Sequence, residues 1–235
     1  MCLREKLIKI FYKNNYPYLM KRTYHETVSE VKKYETKKIV LLGDGCIGKS
    51  TLFDKLNNLN NDDYRFSKKY KATDNFDFNR IDLNTDLGQI TIDLWDTAGQ
   101  ETKGGKLRDA YLKGADGVLL LYDVTETKTK ENINKWLSEI KRVSPGIPVA
   151  VLGNKSDKFK DLQQSESVKL RECNLQYTYG HKQVKNFLIS IKEDTHLEFN
   201  SPFWSSNVIV EEQRGCLIGL EYVLNSILNI NLKIE

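Results

Sequence analysis

The stretch KKIVLLGDGCIGKSTLFDKLNNL (residues 37–59) decides the fold. KKIVLLG is an apolar run closed by glycine, the pattern of a buried strand, and STLFDKLNNL puts Leu52, Phe53, Leu56 and Leu59 at helical spacing. Between them GDGCIGKS (residues 43–50) has the spacing GxxxxGK[ST], after a strand and opening a helix. Glycines such as Gly43, Gly45 and Gly48 let backbone N–H groups crowd around a phosphate, and the helix start adds the positive end of its dipole. Asp44, Cys46 and Ile47 complete the loop, and Thr51 follows it onto the helix. Lys49 is placed to bridge β- and γ-phosphates and Ser50 to hold Mg²⁺. The expectation is a bound nucleotide.

Outward from this unit the chain keeps alternating. NFDFNRIDL (75–83) and QITIDLWD (89–96) alternate apolar and polar residues around the turn-rich NTDLG, which predicts an antiparallel hairpin. GADGVLLLYDV (114–124) and GIPVAVLGN (146–154) are continuous apolar runs suited to parallel strands covered on both faces, separated by the helical TKTKENINKWLSEIKRV. FLIS (187–190) reads as a sixth strand and VEEQRGCLIGLEYVLNSIL (210–228) as a closing helix. Strands alternating with helices predict an α/β fold: a six-stranded, mostly parallel sheet with helices on both faces.

Composition narrows the setting. An apolar share of 40% with 29% charged residues is an ordinary globular balance. Cys2, Cys46, Cys173 and Cys216 are scattered without metal or disulfide spacing, which fits a reducing compartment. Residues 1–36 hold eight Lys/Arg against four Asp/Glu, so the whole basic excess of +4 sits there. The organisation expected is a basic extension over 1–36 and one domain over 37–235. No run approaches the roughly 18 apolar residues of a membrane span. Leu3, Leu7, Ile8 and Phe11 at helical spacing, with Arg4, Lys6, Lys9 and Lys13, describe either a short amphipathic helix for acidic lipid or an acidic partner, or else a helix packed on the domain or a disordered extension.

The base is read from GNKSD (153–157), after the VAVL run and at the sheet edge where α/β folds place ligands. Asp157 can accept two hydrogen bonds that guanine offers and adenine cannot, Lys155 can lie its stem across the base, and Asn154 can brace the loop. A buried carboxylate left unpaired by the wrong base discriminates by roughly 10⁴-fold.

GDGCIGKS, DTAGQE (96–101) and NKSD, in this order, resemble the small GTPases of the Ras superfamily across about residues 37–230. Within it KKYKAT (68–73), GGKLRDAY (104–111) and NLQY (174–177) look most similar to the Ran branch, although Lys106 intrudes between Gly105 and Leu107. The resemblance implies a P-loop small G domain binding GTP or GDP with Mg²⁺. It implies that Thr73 contacts Mg²⁺ and reports the γ-phosphate, that Asp96 holds the metal, and that the Gly99 N–H senses the γ-phosphate. Gln100 would orient the attacking water, and Gly45 would leave room for the transition state. Asn75 stands where the family usually has glycine. SIK, from Ser190 through Ile191 to Lys192, is similar to the family's second guanine loop, with the Ile191 N–H directed at the guanine carbonyl.

The resemblance also implies partners: a GTPase-activating protein, an exchange factor and, on the Ran reading, nuclear transport receptors. Hydrolysis would be slow alone. The terminal NINLKIE has no prenylation cysteine, so no stable membrane anchor is expected. A monomer in cytoplasm or nucleus, with no nucleic-acid partner, completes the expectation. Two alternatives stand beside a Ran-like switch: a nucleotide-locked binding module that does not cycle, and a Rab-like membrane-trafficking GTPase.

Overall fold

The computed structural model describes residues 34–59, 61, 64–66, 73, 76–98, 105–159, 177–179, 182–199, 208–212 and 215–234. The N-terminal segment over 1–33, Gly99 and Gln100 lie outside the described residues.

The strands are β1 (Lys37–Leu42), β2 (Phe76–Thr85), β3 (Gly88–Thr97), β4 (Gly117–Asp123), β5 (Val149–Asn154), β6 (Tyr177–Tyr179), β7 (Lys182–Ser190), β8 (Thr195–Phe199) and β9 (Val208–Glu212). They lie in the order β2-β3-β1-β4-β5-β7-β8-β9, with β6 paired to the start of β7. The six strands expected from the sequence occupy the first six places. β3, β1, β4, β5 and β7 run parallel, and β2 closes the hairpin antiparallel to β3.

Alternation along the central strands sorts their side chains onto two faces. Ile39, Leu41, Leu119 and Leu121 meet Leu52 and Leu56 of α1 (Lys49–Asn57) and Leu220, Val223 and Leu224 of α5 (Ile218–Leu228). Val40, Leu42, Val118 and Leu120 face the other way, onto α2 (Gly105–Leu112) and α4 (Ile133–Val143), which contribute Tyr111, Leu112, Ile133, Trp136, Leu137 and Ile140. Runs such as GVLLLYD are therefore buried at every position because both faces are covered. The helical stretch before β5 is split at Asn132, with α3 (Thr127–Glu131) preceding α4.

Three strands were not anticipated. β6 and β8 pair antiparallel with the two ends of β7, and β9 pairs antiparallel with β8 at the far edge. The closing helix starts only at Ile218, because VIVEE (208–212) pairs with β8. Its β-branched residues suit a pleated partner better than a helix end. The chain then passes so close to β8 that a Cβ on Gly215 would stand 2.2 Å from the Thr195 carbonyl oxygen.

After α5, Asn229 turns the chain in the left-handed region (φ 52°) and residues 230–234 run back along the β2–β3 hairpin. The Asn225 carboxamide accepts from the Leu232 N–H at 2.7 Å, the Lys233 N–H donates to Asp86 at 2.7 Å, and Ile234 bridges to Thr85. Leu232 and Ile234 are buried. Leu232→Ala should therefore cost roughly 3 kcal/mol in urea unfolding, as for other buried leucines. An unchanged midpoint would mean that this return segment is not packed on the domain.

Candidate nucleotide-binding site

The loop after β1 is forced into shape by its neighbours. Gly43 has φ 130°, and a Cβ there would lie 2.3 Å from the Leu121 carbonyl oxygen of β4; Gly48 has φ 105°, with the Asn154 Nδ2 at 2.4 Å from such a Cβ. Cys46 also takes a left-handed conformation (φ 61°), a costly one for a residue with a side chain. Lys49 opens α1 and folds back, its Nζ donating to the Gly43 carbonyl at 3.0 Å and the Asp44 carbonyl at 2.6 Å. Gly45 is exposed on the loop, Ile47 is buried beneath it, and Thr51 lies half-buried on the first turn of α1. The Asp44 carboxylate is turned towards α4, where it accepts from Asn132 and Trp136.

Ser50, Thr73 and Asp96 converge beside this loop. Ser50 Oγ and Thr73 Oγ1 are 2.9 Å apart, and Thr73 Oγ1 donates to Asp96 Oδ2 at 3.3 Å. Asp96 is fully buried at the end of β3, and its Oδ1 has no hydrogen-bond partner among the described residues. Burial pushes its carboxyl pKa up, against the opposing pull of Ser50, Lys49 and Thr73. An orphaned carboxylate oxygen beside two hydroxyls fits a hard cation with oxygen ligands, and Mg²⁺ is such an ion.

The opposite end of the site is built from β5 and β7. Asn154 donates from Nδ2 to the Ile47 carbonyl at 2.8 Å and accepts from the Ile191 N–H at 3.2 Å. That N–H is therefore directed at Asn154, where the sequence reading had aimed it at a guanine carbonyl. Lys155, in the left-handed region (φ 69°), donates to the Cys46 carbonyl at 3.0 Å and pairs with Asp123 at the end of β4. Ser190 Oγ donates to Asp157 Oδ1 at 2.8 Å, and Lys192 Nζ stands 3.6 Å from the other carboxylate oxygen. The loops carrying NKSD and SIK are thus adjacent.

Three contributors escaped the sequence reading: Asp123, Asn132 and Trp136. Asp123 had a usable signal, being a carboxylate at the C-terminal end of a buried strand, where such sheets bind ligands. Asn132 and Trp136 had none, since a helix register does not reveal what its first turn touches.

The Ras family profile matches residues 38–200. The chain belongs to the Ras family. Two curated relatives from Paramecium octaurelia, Ras-related protein Rab-7b and Ras-related protein Rab-7a, are each 32% identical over 171 residues, which is 71% of this chain and 78% of the relative. Ras-family small GTPases bind guanine nucleotides with Mg²⁺, hydrolyse GTP and meet activating and exchange proteins, and membership supports these general properties here. These relatives are Rab proteins, so the Ran-like specificity expected from the short strings has no support from them.

Within this Ras-family loop Lys49 is a buried cation, and burial pulls its pKa down to about 8 despite Asp96, Asp44 and Cys46. Between that value and the ordinary 10.5 the unfolded chain still holds a proton that the folded chain has released. The stability of nucleotide-free protein therefore rises with pH across this window, and below it the buried charge is a standing cost. Lys49→Met lacks the effect. From pH 7.5 to 10.5 the stability difference should move by roughly 3 kcal/mol in favour of the wild type. Parallel denaturation curves for the two proteins would refute this assignment.

Proposed function

We propose that this protein is a GTP-binding and GTP-hydrolysing switch of the Rab kind. One observation carries the reading: Thr73, from the segment before β2, and Asp96, at the end of β3, meet Ser50 of the phosphate loop at a single corner. A Mg²⁺ ion held there would neutralise phosphate charge and make the Thr73 segment answerable to the nucleotide. The chain's own groups do the rest. Lys49 presents its ammonium to the phosphates, the loop N–H groups bind their oxygens, and Asp157, held by Ser190, selects guanine. Gln100, by family likeness, orients the attacking water.

A partner surface adjoins the switch. Phe76 and Phe78 on β2 are 43% and 46% exposed, and with Trp95 and Tyr111 they form a connected aromatic group. These residues lie on the strands and helix that flank the Thr73 segment and the segment after Thr97. Exposed aromatics of this size next to groups that reorganise on hydrolysis suit a protein that reads the nucleotide state. The Rab names of the relatives support membrane traffic as the setting.

Fluorescent GDP bound to the protein should be displaced by GDP and GTP and not by ATP. Asp157→Ala should weaken GDP binding at least 100-fold, the scale of unpaired base contacts. In single turnover with a cognate activating protein, Gln100→Leu should slow GTP cleavage about 100-fold or more. Equal rates for wild type and variant would favour a nucleotide-locked module instead.

Membrane recruitment is a separate test. The basic segment over 1–36 should carry the protein down with vesicles containing acidic lipid, and a chain lacking it should stay in the supernatant. Co-sedimentation that ignores the truncation would remove this segment from the reading.

A further inference from the structure

Asp44 is a phosphate-loop residue whose carboxylate is held by the start of α4. Its Oδ1 accepts the Trp136 indole N–H at 2.8 Å and its Oδ2 accepts the Asn132 amide at 2.7 Å. Both donors belong to the start of α4 and are four residues apart, hence on one face. They are anchored, because Ile133, Trp136, Leu137 and Ile140 are all buried against the sheet. Meanwhile the backbone carbonyl of Asp44 accepts from Lys49 Nζ. One residue therefore joins the phosphate lysine to a helix packed on the core.

A carboxylate in this place opposes the phosphates it adjoins, so its presence asks for a compensating role. Two donors to an ionised acceptor are among the stronger protein hydrogen bonds. The loop needs an outside hold, since Cys46 sits in the left-handed region without being glycine. From the guanine side Asn154 and Lys155 grip the Ile47 and Cys46 carbonyls. A second grip is the α4 pair on Asp44. The indole N–H of the buried Trp136 finds its acceptor in this carboxylate.

We propose that Asn132 and Trp136 are positioning residues that hold the phosphate loop in its binding shape through Asp44, and so set how fast guanine nucleotide leaves. The proposal rests on the nucleotide-binding reading given above. It assigns to α4 a control over release that acts through a contact separate from those of the guanine loops.

The test uses the full chain loaded with N-methylanthraniloyl-GDP and chased with excess unlabelled GDP. Trp136→Phe keeps an aromatic ring, though a smaller one, and removes the donor, and release should quicken about five- to tenfold. Asn132→Ala should quicken it about two- to fivefold, and it stands in for the first variant should that one fail to fold. Asp44→Ala should exceed either, and adding Trp136→Phe to it should change release by less than about twofold, as for two ends of one contact. Asp44→Asn should return release to within about threefold of wild type, since the indole keeps an acceptor and the Asn132 amide can turn over to accept.

A merely packing role for the ring would not give this coupling or this rescue, and would not move the Trp136 indole N–H resonance upfield in Asp44→Ala. Release within twofold of wild type in both α4 variants, or effects that multiply in the double variant, would overturn the clamp alone. A wild-type chain that binds no guanine nucleotide would instead overturn the nucleotide reading, and the clamp's role with it.

Discussion

The carboxamide of Asn154 holds three loops together, and the geometry of the site depends on it. Its amide reaches the Ile47 carbonyl in the loop after β1, its oxygen takes the Ile191 N–H in the loop after β7, and its own backbone ends β5. Such an amide is buried at low cost only if both of its ends are used. The requirement propagates. The space next to Asn154 Nδ2 is what denies Gly48 a side chain, and the same neighbourhood brings Lys155 over the Cys46 carbonyl. Because these strands are parallel, their C-terminal ends lie along one edge, and a single side chain can reach loops from strands that are not neighbours.

The electrostatics of that edge follow from burial. Lys49 and Asp96 are both nearly removed from water, and each is pushed towards its neutral form, the lysine downward and the carboxyl upward in pKa. Neither shift serves a ligand-free protein. Shifts of this kind at a cleft are what the proposed phosphate and cation would offset. The same elements that bring Thr73 to this corner continue into the strands bearing Phe76, Phe78 and Trp95, so the charge-sensitive interior and the aromatic exterior share a backbone. α4 completes the frame, its buried ridge fixing Asn132 and Trp136 against Asp44.

Much of the centre was legible because its signals are local. The apolar runs of β1, β4 and β5, the alternating hairpin and the spacing of GDGCIGKS depend on neighbours in sequence and hold for any chain that buries them. The sheet's far side was not legible. β6, β8 and β9 are each five residues or fewer, and their pairing depends on the edges that β7 and then β8 offer. The branch within the superfamily also resisted: strings of a few residues suggested Ran, whereas alignment over 171 residues brings Rab relatives. Short partner-facing strings carry few folding constraints, so they mislead more easily than a whole domain.

By itself, then, the sequence determined where the family's phosphate and guanine motifs stand, because a glycine-rich loop before a helix and an NKSD after a buried strand are legible in their spacing. Only the tertiary structure decided how these groups are held. Asp44 and Trp136 are 92 residues apart in the chain, and Asn154 and Ile47 are 107 apart. Contacts at such separations are set by how helices pack on the two faces of a sheet. No local pattern encodes that packing, since it arises from the fit of whole buried surfaces.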